Sequence, residues 1–386
     1  MSHEHEVDGA QAPRRLTEAV FDVPHPARAG GTRRLIGVLP GEGVGPELVR
    51  SALLVLKALE EQAPPFEVRF GGSIGLEAQQ QAGCALTADV TEFCEEIFGA
   101  GGAILAGPGG GRFVYDLRRR FDLFCKLVPL RVSPALAGAG RLRREGVLDV
   151  DILLVRENVG GTYQGTWREM TCLDGERTSE HTFSYTESQV RRILRVAARL
   201  AAGRRGDLAV VLKEGGLPAQ SGLWRDIGQA EADRAGVRVS FVNVDLAAYR
   251  LIQEPRTFDV VAASNLFGDV LADLGGVLLG SRGLGFSGNF SGSGAAVYQT
   301  NHGGARDVAG QDRANPAAQI LSLAMLLRES FGYFDLASRI ETALEEVWES
   351  GIVTFDLAGG GRKVVGTAEM TARVAEAVAH ANICPG

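Results

Sequence analysis

Short apolar runs of strand length recur along this chain, and most end on a glycine loop or polar cluster that opens a helical pattern. Residues 34–39 stop at Pro40-Gly41 before helical periodicity over 47–59, and residues 103–106 run into Gly107-Pro108-Gly109-Gly110. Residues 208–212 precede another helix, residues 258–262 run into Ser264-Asn265, and residues 150–155 and 237–242 add two further runs. Strands alternating with helices require an α/β chain built on an extended sheet. Helix starts are also legible. Thr186-Glu187-Ser188-Gln189 spells a capping box, in which the Thr oxygen and the Gln side chain satisfy otherwise orphaned amides. Asn315-Pro316 opens a helix that ends near Gly332.

Composition narrows the function classes. With 386 residues, 45% hydrophobic and 23% charged, the chain has the balance of a globular protein with one large core or two. A formal charge of -7 argues against nucleic acid as the main partner and leaves small anions open. Five cysteines with no C-x-x-C pair give neither a disulfide framework nor a zinc ribbon, which fits a cytoplasmic setting. No apolar run approaches the roughly 18 residues of a membrane span, so no membrane partner is expected. Residues 1–33 lack the apolar stretch of a secretory signal and are expected to form a flexible extension, with Ala19-Val20-Phe21 as an island able to dock. Residues 172–185 alternate, are sparsely apolar and cannot build a core, so a projecting hairpin or arm is expected there.

Several stretches carry chemistry, each with a plainer alternative. Gly41-Glu42-Gly43-Val44-Gly45 follows a strand like a dinucleotide loop, but its third glycine comes one place early, and such turns are common. Asp269 and Asp273 share one helix face at i, i+4, a spacing that suits Mg²⁺ or Mn²⁺; otherwise Asp269 caps the helix and Asp273 is solvated. Lys213 ends a strand, where it is either a base or simply solvated. Arg156 and Tyr163 flank a strand end as a carboxylate binder and a phenol, or as a surface ion pair and a packed ring. Arg118, Arg119 and Arg120 are a solvated helix face from which one side chain turns inward. His302 either contacts a nucleotide or is a hydrogen-bonded loop histidine.

Taken jointly and in order, these segments resemble the isocitrate and isopropylmalate dehydrogenase family of metal-dependent β-decarboxylating dehydrogenases. The matching stretches are Leu39 through Glu47, Leu117-Arg118-Arg119, Val155 through Tyr163, Ser264 through Asp273, and His302 through Gly310 with Asn315-Pro316. The resemblance implies a two-domain α/β fold that is not a true Rossmann fold. Its large cofactor-binding domain would take residues 34–124 plus 280–386, and its middle dimerisation domain residues 125–279, with the arm at about 172–185. It also implies a homodimer with shared active sites. Asp245, Asp269 and Asp273 would be metal ligands, with Lys213 as the base and Tyr163 as the acid. Lys213 and Asp245 would come from the neighbouring subunit. Arg118 and Arg156 would clamp carboxylates. His302, Gly303, Gly304, Ala305, Asp307, Val308 and Asn315 would hold the cofactor, and Asp307 would favour NAD over a 2′-phosphorylated one.

The chain departs from the family where substrates are distinguished. Val128 stands where a third arginine is expected, leaving Lys126 or Arg131 as the nearest substitutes. The short segment between Pro108 and Arg118 would place Val114 and Tyr115 in the side-group pocket with Arg112 at its edge. Glu214-Gly215 and Gln299 also differ from the family pattern. The expected function is NAD- and metal-dependent oxidative decarboxylation of a small malate-type 2-hydroxy acid other than isocitrate or isopropylmalate. The alternatives are dehydrogenation without decarboxylation, and a non-catalytic regulatory subunit of the same fold.

Overall fold

The protein is described by a computed structural model covering residues 14–21, 34–60 and 65–380. Its strands are β1 (Arg34–Leu39), β2 (Phe66–Phe70), β3 (Ala103–Ala106), β4 (Cys125–Arg131), β5 (Asp151–Glu157), β6 (Thr166–Thr171), β7 (Arg177–Thr182), β8 (Asp207–Leu212), β9 (Arg238–Asn243), β10 (Val260–Ala263), β11 (Phe286–Phe290) and β12 (Ala296–Thr300). The helices are α1 (Gly45–Leu59), α2 (Gly75–Ala82), α3 (Ala88–Gly99), α4 (Phe113–Arg120), α5 (Arg144–Val147), α6 (Glu187–Ala202), α7 (Pro218–Ala235), α8 (Val244–Gln253), α9 (Asn265–Leu279), α10 (Ala317–Phe331), α11 (Phe334–Glu349) and α12 (Thr367–His380).

Ten strands form one sheet in the order β2-β1-β3-β12-β11-β4-β5-β10-β8-β9. Strands from the two ends of the chain make one half of it, and residues 125–263 make the other. Strands β2 and β3 run parallel to β1, and β5 and β8 run parallel to β10, but β11 is antiparallel to β12 and to β4, and β4 is antiparallel to β5. The three reversals leave β1 and β3 pointing opposite to β5, β8 and β10. Their carboxyl ends therefore lie at opposite ends of the sheet. Helices cover both faces, as continuous apolar strands demand.

The apolar runs become strands because their side chains are buried on both faces: β3 and β10 are buried along their whole length. The sequence pattern missed β2, β4, β11 and β12. Strand β4 carries Lys126 and Pro129, and β11 carries Ser287, Gly288 and Asn289, so neither has an apolar signature. The capping box forms, with Thr186 Oγ1 accepting from the Gln189 backbone N–H and Gln189 Oε1 accepting from the Thr186 N–H. Helix α10 ends at Gly332 in the left-handed conformation, φ 74°. The hairpin is β6 paired antiparallel with β7, so it begins before Cys172, at Thr166. Its residues are almost all exposed, which leaves it without a core of its own.

The expected loose extension is corrected for residues 14–21; the rest of 1–33 lies outside the described residues. Leu16–Ala19 forms a short 3-10 turn with Val20 buried. The Thr17 N–H donates to Glu329 Oε2 at 3.0 Å on α10, and the Ala19 carbonyl accepts from Arg199 of α6 at 3.4 Å. The segment thus straps a helix of one half-sheet to a helix of the other. Burial pushes the Glu329 carboxyl up to about 7, against the Thr17 N–H. A carboxyl raised in the folded state stabilises the fold below the ordinary glutamate range and loses that contribution as pH rises towards about 7. Urea unfolding should therefore show wild-type stability declining across this window, with a shallower decline in Glu329→Gln; equal pH slopes would refute the assignment.

Candidate active site

The Arg156 side chain leaves the end of β5 almost fully buried, at 1% exposure. Its Nη2 and Nε donate to Asn265 Oδ1 at 2.8 and 3.2 Å, and its Nη1 to Asp269 Oδ1, both on the first turns of α9. Gly268 makes this possible. A Cβ there would stand 2.7 Å from Arg156 Cγ, so the helix rests directly on the arginine stem. The remaining oxygen of Asp269 accepts from the Tyr163 hydroxyl at 2.9 Å. Arg156, Asp269 and Tyr163 therefore form one hydrogen-bonded unit. The surface-pair and helix-cap alternatives fall: Arg156 is interior, and Ser264 occupies the N-cap.

The turn that presents Tyr163 is fixed from below. Glu157 accepts from the N–H groups of Val159 and Gly160 at 3.0 and 2.9 Å, and burial pushes its carboxyl up to about 6. Gly161 has φ 70°, and a Cβ on it would lie 2.2 Å from the Tyr185 hydroxyl, so only glycine fits. The Tyr185 hydroxyl accepts from the Asn265 N–H at 2.9 Å, which ties this turn to α9.

Arg118 is the inward member of its cluster, at 4% exposure, while Arg119 and Arg120 are exposed. Burial, then the charge of Arg156, pushes its guanidinium down to about 9, still cationic at neutral pH. Lys126 on β4 is equally buried and lies opposite Arg156 in register. Burial, followed by Arg118 and Arg156, holds its amine well below the usual lysine range. Asp269 is the counterweight. Burial alone would raise its carboxyl, but Arg156, Lys126, the Tyr163 hydrogen bond and Arg118 together hold it low. Burial and the adjacent Asp269 push the Tyr163 phenol upward, so it keeps its proton.

The side-group region is aromatic and cationic. Arg112 lies between the rings of Tyr115 and Trp167, at 5.1 and 5.0 Å, and donates to the Tyr163 carbonyl at 3.3 Å. Tyr115 packs against Tyr163 with centroids 5.2 Å apart, and Gln164 donates to the Tyr115 carbonyl at 3.0 Å. Val114 is half-buried beside them and packs on the core under α4. Trp167 and Gln164 were not anticipated from sequence. They follow Tyr163 by only a few residues, but their value depends on how the hairpin leaves the turn.

The candidate cofactor loop follows β1 and is tied to the same cleft through residues 110–112, since Gly110 donates to Glu42 and Arg112 to the Tyr163 carbonyl. The Val44 N–H donates to the Gly304 carbonyl at 2.8 Å, pinning the loop after β1 to residues 302–308. Glu42, buried at 5% exposure, accepts from the N–H groups of Leu76, Glu77 and Gly110 and from Arg306. It joins four segments, and its sequence neighbours gave no sign of that. His302 has its Nδ1 2.9 Å from the Gly303 carbonyl, the geometry of a loop histidine, and burial lowers its pKa. Gly303, Ala305 and Asp307 are exposed, and Val308 packs against Val44 and Leu48. Asn315 is committed to Asp356 and to the Ala317 N–H. Gly43→Ala tests the loop contact: with φ 61° and a Cβ 1.9 Å from the Gly304 oxygen, strain of roughly 1–3 kcal/mol is expected to lower the melting temperature. An unchanged melting temperature would refute it.

The three aspartates do not gather into a metal-binding group within one chain among the described residues. Asp273 accepts from Arg282 at 2.8 Å. Asp245, on α8, accepts from Lys213 Nζ at 2.8 Å, so that lysine is ion-paired rather than merely solvated. The Lys213 pair lowers the Asp245 carboxyl. Asp269 and Asp273 still offer two partly exposed carboxylates on one face of α9, a hard-oxygen donor set that fits a divalent cation once further ligands are supplied. Helix α9 also links the two ends of the cleft, running from Arg156 and Tyr163 to Arg282, whose charge acts on His302.

Comparisons with known proteins identify the family. A family model for isocitrate/isopropylmalate dehydrogenase matches residues 35–374. The chain is 38% identical over 357 residues to a 3-isopropylmalate dehydrogenase of Carboxydothermus hydrogenoformans, covering 88% of this chain and 94% of that protein. It is 36% identical over 360 residues to one of Priestia megaterium, covering 89% and 96%. Among solved structures, the isocitrate dehydrogenase of Methylococcus capsulatus superposes with a TM-score of 0.80 at 31% identity, covering 90% of this chain and 100% of that one. No helix of the described residues is long and apolar enough to cross a membrane.

Proposed function

The chain belongs to the isocitrate/isopropylmalate dehydrogenase family, and from that premise we propose that it oxidises and decarboxylates a malate-type 2-hydroxy acid, using NAD and Mg²⁺ or Mn²⁺. The observation that carries this reading is the Arg156, Asp269 and Tyr163 unit with Arg118 beside it: carboxylate-binding cations, a metal-type carboxylate and a protonated phenol in one cleft. Bound NAD would accept the hydride from the carbinol carbon, and a divalent cation held by Asp269 and Asp273 would stabilise the enolate left by CO₂.

The protein's own groups do the rest. Arg118 and Arg156 orient the substrate carboxylates, and Arg112, Val114 and Tyr115 border its side group. Lys213 Nζ takes the hydroxyl proton, with Asp245 beside it as the third metal ligand. Tyr163 Oη, held protonated, delivers its proton to the enol carbon. His302, the loop 303–305, Asp307, Val308 and Asn315 border the cofactor, with Asp307 accepting from the ribose hydroxyls.

The large domain would comprise residues 34–124 and 280–386, and the middle domain residues 125–279. Following the family resemblance, we assign Lys213 and Asp245, which pair with each other, to the cleft of a second copy in a homodimer. The exposed Leu246 and Tyr249 on α8, with Val270 and Val277 on α9, supply an apolar face for that contact.

The departure at Val128 favours a substrate other than isopropylmalate or isocitrate, whereas the names of the relatives favour isopropylmalate. NADH formation with Mn²⁺ across 3-substituted malates, tartrate, isocitrate and isopropylmalate decides between them. Turnover abolished by EDTA is expected for a malate-type acid; turnover of isopropylmalate on the ordinary ~10 s⁻¹ scale would replace that substrate. Silence across the panel would remove the catalytic reading.

A further inference from the structure

Arg118 and Lys126 are both almost fully buried, yet neither meets a hydrogen-bond or ion-pair acceptor among the described residues. Their nitrogens are also absent from the sealed, unpartnered polar atoms, so both head groups reach solvent-accessible space while their stems are enclosed. Arg118 matches an arginine expected from the family pattern. Lys126 does not.

Strand periodicity puts Lys126 on the same face of β4 as Val128, two residues on, and Leu130 on that face packs under Gly275 of α9. The lysine therefore faces the helix that carries Asp269 and Asp273. Its cross-strand neighbours offer it nothing. Arg156 is a cation, and the Asn289 amide is taken up by Asn158 and the Val297 carbonyl. Asp273 is paired with Arg282, and Asp269 is shared between Arg156 and Tyr163. Three buried basic groups thus share the carboxylate of Asp269, and a bound anion would supply the counter-charge that Arg118 and Lys126 lack. A buried charge without a partner is costly, and a bound carboxylate would complete it.

We propose that Lys126 is the third anion-binding cation of the cleft, standing in from two residues away for the arginine absent at Val128. It restricts the substrate to a dianion whose second carboxylate reaches the floor of the cleft at β4. The inference rests on reading the site as a carboxylate cleft. An ammonium gives a single-point contact where a guanidinium would impose a bidentate one, so it accepts a carboxylate turned differently from that of the standard substrates.

The test uses Lys126→Met and Lys126→Gln in the full chain, read by thermal unfolding, by calorimetric titration with malonate in Mn²⁺, and by KM for whichever acid the panel identifies. A lysine kept for binding rather than packing should leave the ligand-free melting temperature unchanged or higher in the methionine variant. Malonate dissociation constants and KM should both rise about 10- to 100-fold, the scale of one charge-assisted hydrogen bond. Unchanged malonate affinity in both folded variants overturns the proposal, as does a wild-type protein that binds no malonate. If malonate binding falls in the variants while the wild type turns over nothing, the anion site stands and the decarboxylase reading fails. If the wild type turns over a panel acid and neither malonate affinity nor KM moves, Lys126 fails alone.

Discussion

Arg156→Met is expected to abolish turnover and to destabilise the protein by about 2–3 kcal/mol, because removing one partner of a buried ionic network leaves the others unsatisfied. Asn265 is fully buried and would lose both donors to its Oδ1, and Asp269 would lose its direct counter-ion. Two effects soften the loss. The methionine stem still supports Gly268, and the repulsion that Arg156 exerts on Arg118 and Lys126 disappears. Urea unfolding measures the balance. A variant as stable as wild type would mean that the Asn265 and Asp269 contacts contribute nothing net.

Tyr163→Phe should do the opposite: leave stability near wild type and cut turnover by ~10²–10⁴, the usual contribution of a positioned general acid. The ring is half-buried against Tyr115 and keeps its packing, and only the bond to Asp269 Oδ2 is lost. Because the proposed proton delivery follows hydride transfer, a rapid first NADH per site should precede slow steady turnover. Stopped-flow absorbance reads both phases. Undiminished steady turnover in the folded variant would remove Tyr163 from the chemistry.

Motif order carried the recognition of this chain, because each motif is a local arrangement that chemistry holds to a fixed spacing. The helical period alone puts Asp269 and Asp273 on one face. Val128 stands out as a departure on the same local footing. What pairs with these residues was not legible. Asp269 reads equally as a cap or a ligand until Arg156, 113 residues away in sequence, is seen to bind it. Glu42 looks like one more loop residue until three distant segments converge on it.

Periodicity and contacts within a few residues were enough to define the alternation of buried strands and helices, the helix starts at Thr186 and Asn315, and the family. Long-range packing alone established that β11 and β4 reverse between the two halves of the sheet, that residues 16–19 strap α6 to α10, and that Lys126 stands buried beside Arg156 without a partner among the described residues. The physical reason is common to all three. Polar strands, docking segments and isolated buried charges have no periodic signature; distant parts of the chain decide whether they are enclosed and what they meet there.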